Sequence, residues 1–85
     1  MAWTAIYSRR ALRDLQDLVV ETRQLIMGRI RAAAADPSSA DIRKLGGRSD
    51  EWRVRVGSWR VLVELDSRTG TMIVLRVLTR RDAYR

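Results

Sequence analysis

The spacing of hydrophobic residues changes from a helical period to a strand period near the middle of this 85-residue chain. Up to about residue 35, apolar residues recur every three or four positions, which is typical of amphipathic helices. From Trp52 onward, apolar residues alternate with polar ones, as in strands that bury one face. Such a chain is expected to be an α+β protein with its helices packed on one face of a sheet.

The first half is predicted to contain a short strand and two helices. Ala2–Tyr7 alternates and contains good strand formers, and Ser8 is a favourable N-cap for a helix beginning at Arg9. The apolar stripe of that helix comprises Ala11, Leu12, Leu15, Leu18 and Val19. We predict a break at Val20–Thr22 and a second helix through about residue 35, ended by Asp36-Pro37. Two such helices should form a helical hairpin.

The second half is predicted to contain three strands joined by tight turns. Gly57-Ser58 is a two-residue signature of a type II′ hairpin. A second turn over Asp66–Gly70 leads to the apolar strand Thr71–Leu78, which suits an inner position in a sheet. The predicted order is β-α-α-β-β-β, with an antiparallel sheet and the N-terminal helical hairpin on one face, in a single domain over residues 1–85.

The predicted turn fixes the register of the hairpin and separates its residues into two faces. The expected cross-strand pairs are Val56–Trp59, Arg55–Arg60, Val54–Val61 and Arg53–Leu62. One face, with Trp52, Trp59 and the valines, is predicted to be core. The other gathers Arg53, Arg55 and Arg60, and opposed like charges cost a few tenths to about 1 kcal/mol. Either an anion neutralises these arginines, or their side chains extend into water and protect an edge strand.

The composition excludes several kinds of site. Histidine and cysteine are both absent, so Ser-His-Asp and Cys-His catalysis, disulfides and thiolate or imidazole metal ligation are ruled out. The net charge is +7, and residues 43–85 contribute +6 of it, which favours an anionic partner. No apolar run approaches the roughly 18 residues of a membrane span. We expect a soluble cytoplasmic chain with no cofactor, no metal and no membrane association.

Without histidine, any proton transfer depends on phenol or carboxyl groups. The candidates are Tyr84, Glu51, Glu64, Asp50 and Asp82. Tyr84 lies among C-terminal arginines, which would lower the pKa of its phenol because nearby cations favour phenolate. Considered alone, Tyr84 would be an ordinary tail residue, and Glu64 would offset the arginines rather than act as a catalyst.

Three segments together resemble the RelE/ParE superfamily of toxins from type II toxin–antitoxin systems. They are Lys44-Leu45, the hairpin from Trp52 to Leu62, and Arg80-Arg81-Asp82-Ala83-Tyr84-Arg85. The N-terminal pattern Ile6-Tyr7-Ser8 with Ala11, Asp14 and Leu15, and the later Asp36-Pro37, also match. The resemblance covers essentially the whole chain and favours the RelE-like branch.

The resemblance implies a ribosome-dependent mRNA endoribonuclease, or mRNA interferase, that inhibits translation. RelE-like members cut mRNA in the ribosomal A site without a metal, by attack of a 2′-hydroxyl on the adjacent phosphate. Carried over by matched position, the candidate catalytic residues are Arg55, Arg60, Arg80 and Tyr84. The candidate RNA-binding residues are Lys44, Arg53, Arg81 and Arg85. Arg60 would stabilise the phosphorane, Arg80 would act on the leaving-group side, and Tyr84 would position or protonate the reacting group.

Two alternatives stay open. ParE-like toxins share the fold and inhibit DNA gyrase without cutting RNA, and the segment Arg76–Asp82 also resembles their strand end. In addition, Thr79 stands where many RelE-like members have histidine. The second alternative is a non-catalytic component of a toxin–antitoxin complex that regulates its own operator. All three imply a cognate antitoxin as partner. The ribonuclease function adds the ribosome and mRNA as partners, and the ParE-like alternative adds DNA gyrase.

Overall fold

The computed structural model of this protein describes residues 2–46 and 50–79. Its elements are β1 (Thr4–Tyr7), α1 (Arg9–Gln16), α2 (Val20–Ala35), a 3-10 turn (Pro37–Ser39), β2 (Ile42–Lys44), β3 (Glu51–Val56), β4 (Trp59–Asp66) and β5 (Thr71–Thr79). Within these ranges, no helix is long and apolar enough to cross a membrane.

The five strands form one sheet in the order β1-β5-β4-β3-β2. The predicted α+β class is confirmed, but the sheet is mixed because β1 runs parallel to β5. The other pairs are antiparallel. Parallel strands need a crossover connection, and the two helices provide it by carrying the chain from one edge of the sheet to the other. The sequence prediction also missed β2, a strand of three residues.

The β3–β4 hairpin has the predicted register. Val56 pairs with Trp59, Arg55 with Arg60, Val54 with Val61, and Arg53 with Leu62. Gly57 has φ +57°, and no residue other than glycine has positive φ in the described ranges. This pattern is that of a type II′ turn, which requires positive φ only at its first central residue. The turn therefore determines which side chains share a face.

The helical hairpin is confirmed, with its break displaced towards the N-terminus. The Ser8 hydroxyl caps α1 by accepting a hydrogen bond from the Ala11 amide at 3.1 Å. The helix ends at Gln16, whereas the apolar stripe predicted that it would reach Val19. Val19 has extended backbone angles and is 67% exposed, so it precedes α2 rather than packing in the core. α2 ends at Ala35, directly before Asp36-Pro37 as predicted.

The core lies between the helices and one face of the sheet. Its fully buried large side chains are Leu15, Ile26, Ile30, Val54, Val61, Val63, Met72 and Val74. Trp3, Trp52 and Trp59 are partly buried and pack against this cluster, which confirms the prediction that the tryptophans serve as core residues. The opposite face of the sheet carries the arginines of the β3–β4 hairpin.

α1 completes the edge of β5 beyond the last residue of β1. The Ser8 amide donates to the Val74 carbonyl at 2.9 Å, and the Ser8 hydroxyl donates to the Leu75 carbonyl at 3.0 Å. Farther along, the Asp14 carboxylate accepts hydrogen bonds from the Val77 amide and from Arg76 Nε, both at 2.9 Å. These contacts fix the part of β5 that leads to the C-terminal segment.

Candidate anion-binding face

Four arginines from three neighbouring strands lie on the sheet face that points away from the helices. Arg43 of β2 is opposite Arg53 of β3, and Arg55 of β3 is opposite Arg60 of β4. Side chains alternate between faces along a strand, so all four share the face opposite the buried valines. We call the set of Arg43, Arg53, Arg55 and Arg60 the basic face.

Arg60 is the most unusual member because it is charged and only 4% exposed. Its Nη1 donates to the carbonyls of Gly57 and Trp59, at 3.0 Å each. Its Nε is buried and has no hydrogen-bond partner among the described residues. No carboxylate in those ranges forms an ion pair with it. The alternative in which this arginine extends into water is therefore wrong.

A buried guanidinium without a carboxylate partner, as Arg60 is among the described residues, is an unfavourable arrangement on its own. Removing a charge from water costs free energy unless hydrogen bonds and an opposite charge compensate. The two carbonyls offer dipoles, and Nε remains a free donor. An anion at this position would supply the missing charge and acceptor. Arg60 therefore offers an anion a positive charge and an unused donor.

The other arginines differ in exposure and in compensation. Arg55 is exposed and forms an ion pair with Asp41, with Nε 3.2 Å from Oδ2. Its amide also donates to the Asp41 carbonyl at 2.9 Å, which ties β3 to the start of β2. Arg53 is half-buried between Arg43 and Leu62 in the strand register, and Arg43 is exposed. The charge of the basic face is thus least compensated at Arg60.

Lys44 lies on the opposite side of the sheet from the basic face. It pairs with Trp52, whose side chain packs against the core, whereas its neighbour Arg43 pairs with Arg53. The candidate RNA-binding residue from β2 that joins the other arginines is therefore Arg43. Arg43 was not predicted as a site residue, because β2 was not predicted and without a strand there is no register to assign a face.

Two carboxylates lie on the same face at the other end of the hairpin. Glu51 pairs with Glu64, one pair beyond Trp52–Val63 and two beyond Arg53–Leu62. Both were candidates for proton transfer, and the structure places them beside the arginines rather than in the core. Asp50 is exposed, and its carbonyl accepts from the Leu65 amide at 3.1 Å. The face thus holds acid and base candidates as well as cations.

The C-terminal candidates Arg80, Arg81, Asp82, Tyr84 and Arg85 lie outside the described residues. β5 is described up to Thr79, which pairs with Trp59, and Leu78 pairs with Arg60. The predicted loop residues Gly47, Arg48 and Ser49 also lie outside. Among residues 2–46 and 50–79, no group of three or more histidine, cysteine or acidic side chains could hold a metal ion.

A family model described as the ParE toxin of the type II toxin–antitoxin system parDE matches residues 5–84 of the chain. No curated protein matches it in sequence.

Solved structures of RelE toxins resemble the chain in fold. One is the RelB–RelE antitoxin–toxin complex from Methanococcus jannaschii, with 25% identity, TM-score 0.76 and coverage of 93% of this chain and 94% of that one. Another is the toxin–antitoxin complex RelBE2 from Mycobacterium tuberculosis, with 22% identity, TM-score 0.81 and coverage of 94% and 100%. The intact Escherichia coli RelBE complex has 18% identity, TM-score 0.74 and coverage of 92% and 96%.

Proposed function

This chain belongs to the ParE toxin family of type II toxin–antitoxin systems, and on that premise we propose that it inhibits translation by cutting ribosome-bound mRNA at the basic face. The observation that carries the proposal is the buried guanidinium of Arg60, which has a free donor and no carboxylate partner in the described part of the chain. A phosphodiester suits a cluster of arginines, because its oxygens match the planar fork of donors.

The proposed reaction needs no group from outside the RNA and the protein. The 2′-oxygen attacks the adjacent phosphorus, the bond from phosphorus to the 5′-oxygen breaks, and a 2′,3′-cyclic phosphate and a 5′-hydroxyl result. A base takes the proton of the 2′-hydroxyl, and an acid returns one to the 5′-oxygen. Arg60 and Arg55 stabilise the charge of the phosphorane, and Arg53 and Arg43 hold the RNA backbone. Tyr84 and Arg80 act on the leaving group.

We further propose that a cognate antitoxin neutralises the toxin in the cytoplasm. Three solved complexes similar in fold pair a RelE toxin with a RelB antitoxin. The net charge of +7 favours an acidic partner, which would associate quickly and with strong dependence on salt.

The test is brief induction without antitoxin, followed by mapping of new mRNA 5′ ends. Arg53→Gln removes a cation from the basic face. Arg68→Gln makes the same charge change in the exposed β4–β5 turn, where in the described ranges Arg68 donates a hydrogen bond to the Asp66 carboxylate through its backbone amide alone, so it serves as the matched control. We expect new ends inside translated codons for the native chain and for Arg68→Gln, and at least about ten-fold fewer for Arg53→Gln. Equal cleavage by both variants would contradict the proposal.

The second candidate function is inhibition of DNA gyrase. It is favoured by the description of the matching family model and by the absence of histidine from the whole sequence. Growth arrest with intact mRNA, together with loss of supercoiling by purified gyrase on addition of the chain, would select this function. Arrest with cut mRNA and unaffected supercoiling would select the ribonuclease.

A further inference from the structure

Arg55 lies between a carboxylate and another arginine. On one side it is opposite Arg60 of β4. On the other side the Asp41 carboxylate forms an ion pair with it, with Oδ2 3.2 Å from Arg55 Nε. The strand order places β3 between β4 and β2, and Asp41 directly precedes β2. Asp41 therefore contacts Arg55 from the side that faces away from Arg60.

The backbone of Asp41 is fixed independently of its side chain. The Arg55 amide donates to the Asp41 carbonyl at 2.9 Å, and the Ile42 amide donates to the Ala40 carbonyl at 3.1 Å. The second of these bonds closes a three-residue γ-turn with Asp41 at its centre. The Ala40 amide in turn donates to the Pro37 carbonyl at 3.2 Å. The carboxylate is therefore held next to Arg55 by a backbone that is bonded on both sides of it.

The Arg55 side chain has room to adopt other positions. It is 44% exposed, and a cavity of about 320 Å³ opens beside it, between α2 and β3. Ala32 and Ala40 line this cavity and leave space in it. An unrestrained arginine side chain would sample this space and the solvent, because it has many rotamers. Within residues 2–46 and 50–79, the ion pair with Asp41 is the one that confines the Arg55 guanidinium.

The Asp41–Arg55 ion pair is too exposed to contribute much to stability. The Asp41 side chain is 46% exposed, and ion pairs at such exposure are weakened by solvent and salt. A carboxylate beside the basic face also repels phosphate, so it weakens the binding of RNA. Orientation of the Arg55 guanidinium is the contribution that the geometry leaves for Asp41.

We propose that Asp41 is a positioning residue, which keeps Arg55 Nε on the side away from Arg60 so that both Nη groups of Arg55 face a phosphate bound between the two arginines. Arg60 is held in a comparable way, because its Nη1 donates to two backbone carbonyls. Donors that are fixed before the substrate binds need no reorientation as charge develops on the phosphorane. The inference rests on the proposed function for the identity of the anion as an RNA phosphodiester.

The kinetic test compares Asp41→Asn with the native chain in cleavage of mRNA on stalled ribosomes. We expect kcat to fall at least about five-fold, because Arg55 is no longer held, and KM to fall about two-fold, because a repulsive charge is lost. A residue that only supported the fold would not lower both. Asp17→Asn makes the same charge change in an exposed position at the end of α1, and should leave both constants within about two-fold. An unchanged kcat for folded Asp41→Asn would overturn the inference.

A second set of variants shows whether Asp41 acts through Arg55. In a chain that already carries Arg55→Gln, Asp41→Asn should lower kcat by less than about two-fold further, since there is no guanidinium to hold. A further loss of about five-fold in that background would mean that Asp41 acts on the RNA directly, which overturns the inference. Asp41→Glu restores a carboxylate and should retain more of the native kcat than Asp41→Asn.

NMR relaxation of the Arg55 side chain gives a readout that does not depend on cleavage. The order parameter of Arg55 Nε should be above about 0.6 in the native chain and below it in Asp41→Asn, because the guanidinium becomes mobile. Equal order parameters in the two proteins would overturn the inference even if the native chain cuts mRNA. Absence of cleavage by the native chain, together with the expected difference in mobility, would overturn the proposed function and leave the positioning of Arg55 by Asp41 supported.

Discussion

Among single residues, Arg60 has the environment that matches its chemistry least. It is 4% exposed, and within residues 2–46 and 50–79 its hydrogen-bond partners are two backbone carbonyls. The sequence predicted the face of Arg60 correctly, because the Gly57-Ser58 turn fixes the register of the hairpin. The register in turn determines on which face of the sheet each side chain lies. The burial of the Arg60 side chain could not be predicted, because alternation along a strand gives the direction of a side chain and not the groups that surround it.

This environment predicts that Arg60 is maintained for function rather than for stability. Replacing a buried charge by an apolar side chain of similar length is often neutral or stabilising. We expect Arg60→Met to change the free energy of unfolding by less than about 1 kcal/mol in the destabilising direction, and to abolish RNA cleavage. Urea unfolding monitored by tryptophan fluorescence gives the first quantity. A loss of more than about 3 kcal/mol would instead identify Arg60 as a structural clamp of the β3–β4 turn.

Tyr7 provides a pH-dependent prediction. Burial raises the pKa of its phenol above 10.0, and Arg31 nearby opposes the shift. A raised pKa in the folded state means that the folded chain favours the neutral phenol. This contribution to stability is complete below about pH 10, the pKa in the unfolded chain, and is lost as the pH rises through the raised pKa.

The matched variant for this prediction is Tyr7→Phe, which keeps the ring and removes the ionisable group. The melting temperature of the native chain should fall more steeply above about pH 10 than that of Tyr7→Phe. Identical slopes for the two proteins would show that Tyr7 ionises as readily in the folded chain as in the unfolded one.

At the scale of elements, α1 and its N-cap form hydrogen bonds to the edge of β5. Ser8 and Asp14 satisfy the edge of β5 where β1 has ended, and this contact could not be predicted from local pattern. Asp14 lies on the polar side of an amphipathic helix, which by itself indicates solvent. Its partners are 62 and 63 residues away in sequence, so only the sheet order, with β1 parallel to β5, brings them together.

Asp14→Asn tests the connection between α1 and β5. The Asp14 side chain is 15% exposed and accepts from Arg76 and from the Val77 amide. Loss of its charge should cost about 2 kcal/mol, since charged hydrogen bonds contribute more than neutral ones. Thermal or urea unfolding measures this cost, and amides of residues 76–79 should exchange faster. Asp17→Asn, an exposed change at the end of the same helix, should leave both unaffected. Equal stability of the two variants would contradict the role of Asp14.

Elements with a local signal were predicted well, and those set by the sheet as a whole were not. The β3–β4 hairpin, the cap at Ser8 and the stop at Asp36-Pro37 each have a short-range cause. β2 is a polar segment of three residues that becomes a strand by pairing with β3. Without β2 there was no register to place Arg43 on the basic face, and Lys44 was a candidate only through the family resemblance of Lys44-Leu45.

At the scale of the whole molecule, the sheet separates two surfaces with different uses. One face holds the apolar core against the helices, and the other holds the basic face, with Arg60 buried on the central strand β4. β5 alone separates the uncharged edge strand β1 from β4, the strand that carries Arg60.

The central claim is that the basic face performs cleavage of RNA through Arg60. The most direct measurement incubates the purified chain with ribosomes stalled on a defined mRNA and analyses the 3′ ends of the products. We expect 2′,3′-cyclic phosphate ends for the native chain and their loss by at least about a hundred-fold for Arg60→Met under conditions where that variant is folded. Uncut mRNA with the native chain, or equal cleavage by folded Arg60→Met, would contradict it.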